Sequence, residues 1–169
     1  METIILGSKE IFAIQYKHGQ NQKLGYVRFW LNNIYLGAEH DEVYFSYMQG
    51  EFRHILNNKH KLFESFPYAD YDSAEDILDE VLKSKLELSG ANLIDKYILG
   101  FGESFDDFFI VGFFSNNKIN FVWKLEEKPH FEYPNYPTEA LMASVDIVYF
   151  ERIIKEFDKS LLDTSQQLL

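Results

Sequence analysis

Apolar residues recur along this chain with two different periods. Residues 11–16, IFAIQY, and 24–31, LGYVRFWL, are dense in β-branched and aromatic side chains and flank the turn-prone KHGQNQK, so they read as a strand hairpin. In WLNNIYLG the pair Asn32-Asn33 supplies a two-residue turn, because asparagine tolerates positive φ better than most residues with a Cβ. That turn sets Leu31 opposite Ile34, Trp30 opposite Tyr35 and Phe29 opposite Leu36. The same device returns at Asn116-Asn117. It folds FFIVGFFSNNKINFVWKL, residues 108–125, into a hairpin pairing Phe114 with Ile119, Gly112 with Phe121, Ile110 with Trp123 and Phe108 with Leu125. Residues 108–114 are apolar on both sides, which predicts a central strand covered on each face. LIDKYILGF, residues 93–101, reads as a further strand.

Helical spacing appears in three places. Met48, Phe52, Ile55 and Leu56 share one face of a helix in which Gly50 is a weak point. In SAEDILDEVLKSKLELSG, Ala74, Ile77, Leu78, Val81 and Leu82 recur at helical spacing. Ser73 followed by Asp76 resembles a capping box, acids crowd the first turns, Lys83 and Lys85 lie near the end, and Gly90 follows. The last helix starts at an Asp146 N-cap and carries Ile147, Phe150, Ile154, Phe157 and Leu161 as its stripe. EKPHFEYPNYPTEA holds three of the four prolines and reads as an extended arm over the surface. Tight hairpins grouped around helices predict an α+β fold of mainly antiparallel sheet, with about three helices including a C-terminal one. The expectation is a single domain over residues 1–169, with 163–169 as a frayed tail.

Composition narrows the function classes. With 16 Phe, 11 Tyr and 2 Trp the core must be rich in rings, and some rings must lie near the surface. A net charge of −11, from 27 acids against 16 bases, argues against nucleic acid or an anionic membrane as partner and for a basic protein. With no cysteine there is no disulfide and no thiolate chemistry. The first residues lack a signal pattern and no stretch is long enough to span a membrane, so a cytoplasmic location is expected.

Reactive motifs are weak. Glu51-x-x-His54 and Glu127-x-x-His130 share the spacing of carboxylate-bridged metal bundles, but Pro129 interrupts the second and the additional carboxylates are missing. Residues 39–42, Glu-His-Asp-Glu, hold metal-ligating types at consecutive positions whose side chains do not converge, so an acidic turn is the better reading. Gly100 and Gly102 lack the third glycine of a dinucleotide fingerprint, and there is no nucleophile elbow. No catalytic, metal or cofactor residue is assigned. The candidate partner-binding residues are Glu39, Asp41, Glu42, Asp70, Tyr71, Asp72, Asp76, Asp79, Glu103, Asp106 and Asp107, with Tyr133 and Tyr136 as either exposed anchors or pins for the arm. The same acids could instead serve only to keep an aromatic-rich chain soluble.

IFAIQYK followed by LGYVRFWLNNIYLG, with the closing VDIVYFERIIKEF, resembles the bacterial immunity protein 42 family over roughly residues 8–160. Trp30-Leu31-Asn32 with Gly37 is the best match, and Asn33 stands where the family's turn is expected to hold Gly. The resemblance implies a cytoplasmic inhibitor from polymorphic toxin systems, including contact-dependent growth inhibition, that neutralises a toxin's C-terminal domain and carries no catalytic residues. It leaves monomer and homodimer both open. Two other readings stand beside it: a small acidic secretion chaperone holding an extended effector segment in an aromatic groove, and a hydrolase with dispersed carboxylates.

Overall fold

Both asparagine turns form with the predicted register. The structure, a computed structural model, describes residues 2–58, 66–86 and 94–166. In it β1 (Ile4–Ser8), β2 (Phe12–His18), β3 (Leu24–Leu31), β4 (Ile34–Leu36) and β5 (Val43–Tyr44) make one antiparallel sheet in the order β1-β2-β3-β4, with β5 also on β3. Asn32 and Asn33 have φ of 50° and 65°, and Leu31, Trp30 and Phe29 face Ile34, Tyr35 and Leu36. A second sheet is built from β6 (Phe108–Ser115), β7 (Lys118–Leu125) and β8 (Leu141–Asp146). Asn116 and Asn117, with φ of 50° and 59°, close its first hairpin in the expected pairing. Three α-helices lie among the described residues: α1 (Phe45–Asn57), α2 (Ala74–Leu86) and α3 (Ile147–Gln166).

The sheets meet through rings. Phe12 of β2 stacks on Phe121 of β7 at 6.5 Å, and Phe29 reaches the same ring at 6.2 Å. Phe52 from α1 and Phe150 from α3 close over Phe12 at 6.2 and 4.9 Å. All five rings are fully buried. On the far face of the second sheet Phe66 stacks on Phe113 at 4.3 Å, and α2 lies there with Ile77, Leu78 and Val81 buried. Between these layers sits Asn120, whose side chain donates to Ser115 Oγ (2.9 Å) and accepts from Ser144 Oγ (2.6 Å). A buried amide joined on both sides costs little and ties all three strands together.

Several elements depart from the sequence pattern. β6 is covered on both faces but lies at the edge of its sheet, not the centre; β7 is central. The expected strand over 93–101 is reduced to a 3₁₀ turn at Asp95–Tyr97 and a single bridge from Ile98 to Val111. Ile94 and Tyr97, both buried, are spaced by three, which suits a tight turn, and the alternation of buried Tyr97, Leu99 and Phe101 leads only to the one bridge at Ile98. β1, β5 and β8 are additional strands. In α2, Leu82 is exposed rather than buried, while Ser73 Oγ does accept from the Asp76 N–H at 3.4 Å. Gly90 lies outside the described residues. α3 is capped as expected, with the Val148 and Tyr149 N–H groups donating to Asp146 Oδ1 at 2.9 and 3.1 Å, and it continues to Gln166, into the stretch expected to fray. No helix among the described residues is long and apolar enough to cross a membrane.

The turn geometry can be tested directly. Asn117→Ala forces a positive φ on a side chain without asparagine's tolerance and should lower the unfolding free energy by about 1 kcal/mol in urea titration, whereas Asn117→Gly should not. Phe121→Ala, which empties the junction of the two sheets, should cost about 3–5 kcal/mol by the same assay.

Candidate functional site: two acidic loops and an internal tie

The loop after β4 and the loop before β6 are locked together by their backbones. The Ala38 N–H donates to the Ser104 carbonyl at 2.7 Å. Gly37 and Gly102, with φ of +106° and +103°, make this approach possible. A Cβ on Gly37 would lie 2.9 Å from the Phe105 ring, and one on Gly102 would lie 2.9 Å from Val43. Phe105 in turn stacks on Phe29 at 5.3 Å, so the second loop is anchored in the core. The consequence is electrostatic: Asp41, half-buried between the loops, has its pKa raised by burial first, then by the charges of Glu103, Asp106, Asp107 and Glu42. Glu103 and Asp106 project into solvent beside it. Glu39, at the outer end, is paired with Arg28 at 3.1 Å.

Asp107 belongs to the interior. Its side chain is 2% exposed. Oδ1 accepts from the His130 N–H (2.7 Å) and His130 Nδ1 (2.8 Å), while Oδ2 accepts from the Phe131 N–H (3.0 Å) and the Tyr133 hydroxyl (3.1 Å). Burial acts to raise its pKa, but these hydrogen bonds outweigh it and the net shift is downward. One carboxylate therefore ties the Pro-rich arm to the start of β6. Further along, the Trp123 indole N–H donates to the Tyr136 hydroxyl (3.1 Å), which donates to the Tyr35 carbonyl (2.7 Å). Burial raises the pKa of both Tyr133 and Tyr136, aided in Tyr133 by the Asp107 charge. The two tyrosines act as pins rather than exposed anchors. Asp107 is likewise withdrawn from the outer acids among which the sequence pattern placed it, because four donors hold it inside.

These loops, hairpins and the C-terminal helix occur in a known combination. The sequence profile of immunity protein 42 matches residues 4–160. The chain belongs to the immunity protein 42 family. Its fold is also similar to the crystal structure of CdiI from Burkholderia dolosa AUO158, at 10% identity and a TM-score of 0.66, with 93% of this chain and 99% of that chain covered. No curated protein matches the sequence. Membership of an immunity family points to an inhibitor that binds a toxin protein rather than to an enzyme. Among the described residues no three His, Asp or Glu side chains gather as a metal ion would require.

The remaining candidates lie elsewhere. Asp70, Tyr71 and Asp72 are exposed in the turn before α2, with the Tyr71 ring 5.6 Å from Tyr68. Asp76 and Asp79 are exposed on α2 itself. There Glu75 is hydrogen-bonded to Lys124 and accepts from the Ala140 N–H at 3.1 Å; the Lys124 bond leads the downward shift of its pKa. Lys124 is raised by the same bond and by the charges of Glu75, Asp79 and Glu127. Sequence reasoning missed the roles of Gly37 and Gly102 as the joint between the loops. Their isolated glycines were the available signal, but only the fold shows which surfaces they bring together.

The internal tie has a pH signature. Asp107→Asn should lose about 2–3 kcal/mol at pH 7, since an amide cannot accept four hydrogen bonds. The folded-state pKa of Asp107 is below its unfolded value of about 3.9, so its stabilisation is complete above that value and is lost as pH falls through the lower folded one. The difference between the two proteins in urea titration should accordingly begin to shrink as pH falls below about 4 and vanish only below the lower folded-state pKa.

Proposed function

We propose that this chain neutralises a cognate toxin domain by binding it through the joined acidic loops, and that the toxin is a basic protein such as a nuclease. The observation that carries the reading is the meeting of Asp41, Glu42, Glu103 and Asp106 on two backbone-locked loops. Such a surface is pre-organised, so little conformational entropy is lost when a partner docks. Like charges held close raise the local negative potential, which speeds capture of a positive protein more than it strengthens the final complex. Family membership supplies the class of partner and the absence of a chemical step. The site of action is the cytoplasm of the producing cell, where the toxin would otherwise act on its owner. Against a secretion chaperone with an aromatic groove stand the burial of most large rings in the core and the pinning of the arm tyrosines, which favour the reading as an inhibitor of a folded domain.

The binding test uses the C-terminal domain of whatever large secreted protein is encoded immediately upstream. Glu103→Lys with Asp106→Lys should lower the association rate by about tenfold or more at low salt and flatten its salt dependence. Asp70→Lys with Asp72→Lys, away from the joined loops, should have the smaller effect. Equal rates for all three proteins would remove the loops from the interface.

A further inference from the structure

Beside the acidic loops, a groove of about 430 Å³ opens to solvent between α1 and the 100–102 segment, lined by Ser46, Tyr47, Gly50, Glu51, Gly100 and Gly102. Three independent features of this groove have no explanation in the stability of the chain itself. The first is its floor. A Cβ added at Gly50 or Gly100 would meet nothing within 4 Å, and neither residue has a positive φ. Glycine inside a helix is less favourable than alanine, so Gly50 weakens α1 without relieving any contact within the protein. What these two glycines do is leave the groove empty.

The second feature is the wall. Tyr47 is 56% exposed and Tyr44, one turn earlier, is 48% exposed, with their rings 5.8 Å apart. Tyr133 and Tyr136 of the arm are hydrogen-bonded inward, whereas Tyr44 at the end of β5 and Tyr47 in the first turn of α1 stand toward solvent, as interface tyrosines do. The third feature is the carboxylate. Glu51 is half-buried at the groove, and burial raises its pKa against the opposing effects of His54 and the Gly100 N–H. A carboxylate in that setting gains most from a cation that arrives together with the partner.

From the empty floor, the exposed tyrosine wall and the carboxylate beside them, we infer that the groove receives one lysine or arginine side chain of the toxin, its stem against Tyr47 and its charged end on Glu51. The inference rests on the reading of the previous subsection and assigns the toxin a specific anchoring residue. Charge complementarity selects the occupant: the groove opens next to Glu103 and is itself acidic, which suits a cation on a flexible apolar stem and disfavours an anionic or purely apolar one. The outer acids then attract the toxin, and the groove holds it.

The test separates those two roles. Glu51→Gln and Gly50→Met are compared with the wild-type chain for thermal stability and for binding to the upstream-encoded toxin domain by stopped flow and calorimetry. Both variants should melt at or above the wild-type temperature, since one removes a disfavoured charge and the other a helical glycine. Both should bind about 10–100-fold more weakly, with the loss in the dissociation rate rather than the association rate. Replacing each toxin Lys and Arg in turn with Met should reveal one position whose effect disappears in the Glu51→Gln background. Unchanged dissociation from Gly50→Met and Glu51→Gln, with Glu103→Lys and Asp106→Lys still slowing association, overturns the groove and leaves the acidic-loop reading standing. A wild-type chain that does not bind the toxin domain at all overturns both.

Discussion

The stacking of Phe12 on Phe121 is the contact on which the rest of this molecule depends. It is the point at which two sheets, each built from local hairpins, become one structure, and the apolar faces of α1 and α3 close over it through Phe52 and Phe150. Hairpins form from near neighbours in sequence, but the Phe12–Phe121 contact spans most of the chain. It therefore combines a large loop-closure cost with extensive ring burial. Everything near the acidic loops inherits its position from that junction: Phe29 lies against Phe121, Phe105 lies against Phe29, and the 102–107 loop hangs from Phe105.

Much of this architecture was legible in the sequence because its determinants are local. Two Asn-Asn pairs specify both tight turns and, with them, the register of every residue in the flanking strands. Asp146 fixes the start of α3 by hydrogen bonds to residues two and three places away. What was not legible is non-local. The apolar faces of β6 require cover, but the pattern cannot say whether cover comes from neighbouring strands or from Phe66 and the 94–101 segment. β8 is amphipathic over only six residues and follows a run of prolines, so its alternation carries little weight until β7 is there to receive it.

The acids divide along the same line. Asp106 and Asp107 are adjacent in sequence and equal in chemistry, yet one faces solvent and the other accepts four internal hydrogen bonds. Only the path of the arm, twenty-odd residues later, distinguishes them. Charge counting treats such a pair as two units of surface potential; the structure leaves one in solvent and uses the other for cohesion. Glu75 and Glu39 are similarly engaged, by Lys124 and Arg28, so fewer acids stand free at the surface than the count of 27 suggests.

The joint between the two acidic loops is made of a backbone hydrogen bond, two glycines and a phenyl ring. None of the outward side chains takes part in it. Positions 41, 42, 103 and 106 can therefore change one at a time without disturbing the scaffold, provided Gly37, Gly102, Phe105 and Asp107 stay as they are. Surface chemistry and architecture occupy interleaved letters of the same short segments, so the one can be rewritten while the other is kept.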